Sequence, residues 1–308
     1  MAKLISVGSG KGGVGKSFVT ANIATLLAKS GKSVTLVDLD TGGANANIMF
    51  GLMKTPYTLT DFLNGNINTL QDIAHPIDGV YGLKIISGTG ETLQSANMPW
   101  ATKQKLLSHL RKLDSDYVII DVGAGTSLNV LDFFNAADIH LCVATNEPTA
   151  VLDLYRFIKL AALRRSLSAF LAHDQVTQIL AKQNFKSIDE IFNYAGSIKA
   201  GAREKAESAI SGFNPRLVIN MAQSERAGNL IRLQNLLHEY LGNKIPIVGS
   251  IPLNDEVRNS IRRYQPIVNM RPNHEVSLAL NAISENLLGN KLATPVSVEP
   301  FIEMKIAV

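Results

Sequence analysis

Two spacings of apolar residues alternate along the chain. The first is a short, nearly unbroken run, as in Tyr117-Val118-Ile119-Ile120. Such runs, bounded by turn formers, predict strands buried on both faces. They fall at 3–8, 33–38, 83–87, 116–122, 139–145, 216–220 and 246–250. The second spacing is three to four residues and predicts helices with one apolar stripe. It covers 17–30, 99–113, 127–136, 149–170, 226–241, 255–264 and 274–288. In the last of these, Val276, Leu280, Ile283 and Leu287 share a face. Strands alternating with helices predict an α/β fold: a doubly wound, mostly parallel sheet covered by helices. Ligands of such sheets bind beyond the C-terminal ends of the strands.

The alternation lapses at 164–214, where about fifty residues separate two strands that one helix could join. Ser187-x-x-Glu190 reads as a capping box, and 198–211 has helical spacing. A packed helical insert is expected rather than so long a loop. Its apolar positions, among them Leu167, Phe170, Leu171, Val176, Ile179, Leu180, Ile188, Ile191 and Phe192, suffice for a small satellite core. The expected organisation is one domain over 1–288, interrupted by the 164–214 insert, followed by a tail at 289–308. In the tail, Ile302, Met304, Ile306 and Val308 alternate with Glu303, Lys305 and Ala307. A period of two fits a loose end or an edge strand better than an amphipathic membrane helix.

Composition narrows the chemistry. The single cysteine, Cys142, excludes an intrachain disulfide and any C-x-x-C metal site. The six histidines form no pair three or four apart, which speaks against zinc. No apolar run approaches the roughly 18 residues of a membrane span. The chain enters a strand at once, so no signal peptide is expected and the cytoplasm is the expected location. The net charge of +4 is uneven: residues 1–150 carry 11 Lys and Arg against 12 Asp and Glu, and residues 151–308 carry 19 against 14. A basic second half leaves nucleic acid or an anionic surface open as a partner.

The most specific feature is Gly10-Lys11-Gly12-Gly13-Val14-Gly15-Lys16-Ser17. It matches G-x-x-x-x-G-K-[ST] between an expected strand and an expected helix beginning with Phe18, the context of a phosphate-binding P-loop. Its backbone N–H groups and the helix N-terminus favour an anion. Lys16 is expected at the β/γ-phosphates and the Ser17 hydroxyl on Mg²⁺. Lys11 is a second cation that an ordinary P-loop does not need. The strand ending in Asp38-Leu39-Asp40 places two carboxylates on one face toward the nucleotide, suited to a metal shell and to positioning water. Thr41-Gly42-Gly43-Ala44-Asn45 then reads as a switch loop. Asp121 ends an apolar strand where a Mg²⁺-binding aspartate is expected, and Gly123 follows with an N–H for the γ-phosphate. Asn220 ends a late strand with an amide suited to adenine. Pro252, Leu253 and Asp255 follow the next strand and could wall the base. No N-K-x-D or T-K-x-D guanine motif follows the late strands, which favours ATP.

Taken together these motifs resemble the MinD/ParA family of deviant Walker A ATPases, above all its FlhG/FleN-type flagellar-number regulators and MinD. The second lysine in K-G-G-V-G-K-S and the Asp38-x-Asp40 pair are similar to that family's signatures. Asp121-Val122-Gly123-Ala124-Gly125-Thr126-Ser127 resembles the regulators' D-T-G-A-G-I-S, and Asn146-Glu147-Pro148-Thr149-Ala150 their P-E-P-T-A. Asp40 to Asn45 is similar to their D-x-G-x-A-N. The resemblance spans roughly 1–163 and 215–288. It implies a homodimer formed on ATP, with Lys11 of each subunit reaching the other's phosphates. It also implies Asp40 positioning the attacking water, Asp38 and Asp121 completing the Mg²⁺ shell, and Asn220 with 252–255 holding adenine. Such ATPases place division sites, flagella or plasmids, and answer to an activating protein partner.

Two other readings stay open on the sequence: a ParA-like DNA-segregation ATPase using the basic second half, and a metal-cluster carrier of the same superfamily. Peripheral contact with a membrane also stays open, although the tail shows no clear targeting helix.

Overall fold

The computed structural model describes residues 1–40, 46–88, 98–223 and 227–288. The expected switch loop at 41–45 and the tail at 289–308 lie outside them. An eight-stranded sheet organises the described chain, in the order β3-β4-β2-β5-β1-β6-β7-β8. The strands are β1 (Lys3–Ser9), β2 (Val34–Leu39), β3 (His75–Pro76), β4 (Leu83–Ile86), β5 (Tyr117–Ala124), β6 (Ile139–Ala144), β7 (Pro215–Ala222) and β8 (Ile247–Pro252). All neighbours run parallel except the two-residue β3 at one edge, antiparallel to β4. The seven expected strands are all present, as is the mostly parallel arrangement; β3 is too short to leave a periodic signal.

The unbroken apolar runs mean what they were expected to mean. Along β5, Val118, Ile120 and Val122 face one core cluster and Ile119 the other, and all are fully buried. On one face lie α1 (Lys16–Lys29), α11 (Ile267–Met270) and α12 (Glu275–Leu288). On the other lie α3 (Trp100–Leu110), α4 (Leu128–Asn135), α5 (Pro148–Leu167) and α9 (Ala227–Leu241). The short α2 (Leu59–Leu63) lies on that second face, and α10 (Asp255–Arg262) follows β8. The chain leaves β1 toward one side of the sheet and later crosses to β6 on the other. The loop after β1 therefore opens at the point where strand order reverses, where a crevice forms.

The 164–214 stretch differs from expectation in one respect. Its first residues, Arg164 and Arg165, still belong to α5, and three helices follow: α6 (Gln175–Leu180), α7 (Ile188–Ile198) and α8 (Ala202–Ile210). Ser187 caps α7 by accepting from the Glu190 N–H at 3.2 Å; the Glu190 carboxylate reaches back to the Lys186 N–H, one residue beyond the usual box. Val176, Leu180, Ile191, Phe192 and Phe213 do not form a satellite core. They pack into the same cluster as Leu154, Phe157 and Leu217, which belong to α5 and β7. Leu171 stays two-thirds exposed.

Helix α5 joins the parts. Twenty residues make it about 30 Å long. Near its C-terminal end Arg164 pairs with Asp132 of α4 at 2.6 Å, while Arg165 donates to the Ala209 carbonyl at 2.8 Å and the Asn135 carbonyl at 2.7 Å. Near its N-terminal end it passes so close to the loop after β1 that a Cβ on Gly10 would lie 2.2 Å from the Asp153 backbone. Gly10→Ala is thus expected to destabilise by about 2 kcal/mol, as overpacked contacts do, and to lower the Tm by several degrees. Gly12 meets nothing within 4 Å, so Gly12→Ala should leave the Tm nearly unchanged. Thermal unfolding of the two variants, followed by circular dichroism, checks the contrast.

Candidate functional site

The loop from Gly10 to Gly15 turns on two glycines in the left-handed region, Gly13 at φ +80° and Gly15 at φ +82°. Side chains larger than hydrogen rarely adopt that backbone. Val14 anchors the loop by burial, and Asn220 of β7 donates from Nδ2 to the Val14 carbonyl at 2.9 Å. A Cβ on Gly15 would meet that same amide at 2.1 Å. Ser9 Oγ donates to the Lys11 carbonyl at 3.0 Å and fixes the other side of the turn. Gly12 and Gly13 face open space. Ser17 stands half-buried in the first turn of α1, with Phe18 buried behind it.

Lys16 points inward. It is 6% exposed, its Nζ pairs with Asp121 Oδ1, and it lies 3.8 Å from Asp40 Oδ2. Asp121 comes to it from β5, fully buried, and its second oxygen, Oδ2, has no hydrogen-bond partner. The register sets Asp38 of β2 directly beside Asp121. Asp38 accepts from the Asp40 N–H at 3.0 Å and from the Ala46 N–H at 2.9 Å. Burial, and then the neighbouring Asp121 charge, push the Asp38 carboxyl up to about 7. Asp40 is less enclosed and stands against Gly123, where a Cβ would lie 3.3 Å from its Oδ1. Three carboxylates and one buried ammonium therefore converge at the open end of β1, β2 and β5.

The remaining expected residues divide into two groups. Asn220 reaches the loop, but its amide nitrogen braces Val14. Pro252 pairs with Ala222 at the end of β8; Leu253 is half-exposed, and Asp255 is an exposed first-turn residue of α10, 3.7 Å from Arg258. These three stand at the neighbouring strand end, on the same side of the sheet as the loop.

Lys11 lies apart from Lys16. Its Nζ donates to Thr149 Oγ1 at 3.0 Å and sits 3.6 Å from Glu147 Oε2, at the N-terminus of α5. The sequence singled out Glu147 and Thr149 only as part of a motif and gave them no role. Two further residues were given no role by the sequence, Asn146 being named only within its motif. Met221 follows Asn220 with φ +51°, unusual for a non-glycine residue, and its methyl end lies near Gly15. Asn146 donates to the Gln223 carbonyl at 2.6 Å and so ties the end of β6 to the end of β7.

Comparison with known proteins agrees with this geometry. The family model ParA, described as the NUBPL iron-transfer P-loop NTPase, matches residues 1–192. The antiactivator FleN of Pseudomonas aeruginosa is 28% identical over 92% of this chain and 86% of its own. The flagellum site-determining protein YlxH of Helicobacter pylori is 33% identical over 64% of this chain and 69% of its own. The septum site-determining protein MinD of Pyrococcus horikoshii, solved as a complex with Mg-ADP, superposes with a TM-score of 0.63. It covers 93% of this chain and 96% of its own at 20% identity, and so supports the fold. With a family model over more than half its length and the matching loop, strand order and carboxylates in place, the chain belongs to the ParA/MinD family of P-loop NTPases.

Proposed function

We propose that this protein is an ATP-driven dimeric switch of the MinD/FlhG type that sets the place or number of a cellular structure such as a flagellum or division site. The observation that carries it is the buried Lys16–Asp121 pair beneath an open glycine cradle, with Asp40 beside it. The FleN and YlxH relatives support the positioning role, and the Mg-ADP in the solved MinD supports the nucleotide.

The residues present fit Mg²⁺ and a triphosphate. Asp121 Oδ2 is buried without a partner, which costs free energy unless a cation or water meets it. Among the described residues no three His, Cys, Asp or Glu form a cage. That suits Mg²⁺, which keeps several waters and takes few protein ligands. Ser17 and Asp121 would hold it, with Asp38 behind them. When bound, Mg²⁺ neutralises charge on the phosphate oxygens. Lys16 leaves Asp121 for the β/γ-phosphates, and Gly123 offers its N–H to the γ-phosphate. Asp40 orients the attacking water by accepting a hydrogen bond from one of its O–H groups. Asp38 also acts on the backbone, since it accepts from the N–H groups of both Asp40 and Ala46. Asn220 fixes Val14 and presents its oxygen toward adenine, with Pro252, Leu253 and Asp255 as the wall.

Hydrolysis is slow until a protein partner completes the dimer's site, and loss of the γ-phosphate parts the subunits. The 1–288 domain carries this chemistry, and its 164–214 insert, hung from α5, is the surface for that partner. No helix among the described residues is long and apolar enough to cross a membrane; the protein works in the cytoplasm and at its membrane face. The iron-transfer reading finds no support in the lone cysteine. Cys142 is fully buried in β6, and burial pushes its thiol well above the usual range, so it offers no surface thiolate to a cluster.

Lys16→Ala should abolish Mg·ATP binding by calorimetry; unchanged affinity would remove the loop from the nucleotide site. Asp40→Ala should bind ATP, lose turnover by about two orders of magnitude, as loss of a single positioned catalytic group does, and accumulate as a dimer by light scattering. In EDTA without nucleotide, Asp38 should oppose folding as pH rises. Its carboxyl, raised to about 7 in the folded chain, is protonated there at pH 5 and ionised at pH 8. The unfolded group is ionised at both. The Tm of the wild type relative to Asp38→Asn should therefore fall between pH 5 and pH 8, by an amount equivalent to roughly 2 kcal/mol. A flat or rising difference would show that Asp38 is ionised throughout.

A further inference from the structure

We infer that Glu147 and Thr149 form a latch that holds Lys11 in its own subunit, so that the lysine crosses to a partner only when a stronger anion competes for it. The inference rests on the switch reading above and names how the switch is kept off.

The loop contains two lysines with opposite placements. Lys16 is buried and paired inward with Asp121. Lys11 is one-third exposed and paired sideways with Glu147 and Thr149. The backbone of Lys11 has little freedom to move. Its carbonyl accepts from Ser9 Oγ, and the preceding Gly10 is wedged against the Asp153 backbone. Whether Lys11 serves its own subunit or reaches outward is therefore a choice among side-chain rotamers.

The resting place is weak by construction. Pro148 begins α5 and Thr149 lies in its first turn. A helix N-terminus carries partial positive charge and repels an ammonium. Thr149 Oγ1 and the Glu147 carboxylate outweigh that repulsion, but across a half-exposed pair that water screens. Glu147 occupies the N-cap position and makes no capping hydrogen bond with its side chain, so its charge supports the helix start only through the helix dipole. A polyphosphate offers several negative charges to the same ammonium in a less hydrated place. It displaces Glu147 readily, and once the charge is lost the lysine returns. Both subunits of a dimer must release a lysine, so the latch acts twice per association event.

The same helix supplies a route for control. The latch sits on the first turn of α5, and the insert helices are pinned to its far end through Arg165 and Ala209. A ligand on the insert that shifts α5 along its axis would move Thr149 relative to Lys11.

The test is dimerisation of the full chain, measured by sedimentation with Mg·ATP for wild type, Glu147→Gln, Thr149→Val, the double variant and Lys11→Ala. The double variant should tighten the dimer three- to tenfold, and each single variant less. Thr149→Ser keeps the hydroxyl and should restore the wild-type value within the Glu147 background. The nucleotide-free Tm should move by no more than about 2 °C in any of them, which separates a latch from a merely structural contact. Unchanged or weaker dimerisation of the double variant would overturn the latch while leaving the switch intact. A Lys11→Ala protein that dimerises like the wild type would remove the crossing role, and the latch with it. Failure of the wild type to dimerise with ATP would instead refute the switch itself.

Discussion

Everything at the site follows from a shortage of positive charge. Parallel register sets Asp38 beside Asp121, and the strand after Asp38 delivers Asp40 to the same opening. One buried ammonium, Lys16, faces all three. Carboxylates this close and this dry cannot all stay ionised cheaply. The chain meets the strain in two ways: Asp38 is raised to about 7 and tied to two backbone N–H groups, and Asp121 takes Lys16. What remains is an excess of carboxylate charge beside the glycine loop, suited to a hydrated divalent cation.

The loop's shape is itself an outcome of packing from three directions. Gly10 lies against α5, Gly15 against Asn220, and Ser9 closes the turn from within. Only hydrogen fits at the first two places. The cradle is thereby held rigid before a ligand arrives, and rigidity of this kind spares the ligand the cost of ordering it. Asn220 fixes the loop from a distant strand, since its amide nitrogen donates to the Val14 carbonyl.

Helix α5 connects chemistry to the rest of the molecule. Its start touches Lys11, its first turns support Gly10, and near its end Arg164 pairs with α4 while Arg165 holds the insert at Ala209. Asp132 of α4 receives both Arg164 and Lys103, so three helices share one carboxylate on that face. The insert is therefore continuous with the core that holds the site.

The sequence by itself determined the strands, the helices between them and the loop that binds phosphate. The reason is local: double-sided burial needs unbroken apolar runs, helices need one stripe, and left-handed turns need glycine. That Asp38, Asp40 and Asp121 would meet the loop from Gly10 to Ser17 was legible because all lie at the C-terminal ends of adjacent parallel strands. Tertiary structure decided what depends on distant neighbours. It showed that Asp38 also holds backbone, because the Ala46 N–H donates to its carboxylate. It turned Asn220 toward Val14, some two hundred positions away, and merged the insert's apolar side chains with the main core. It also set Lys11 beside Thr149. That contact joins residues 138 apart, and no periodicity or motif spacing encodes it; only the approach of α5 to the loop after β1 brings the two together.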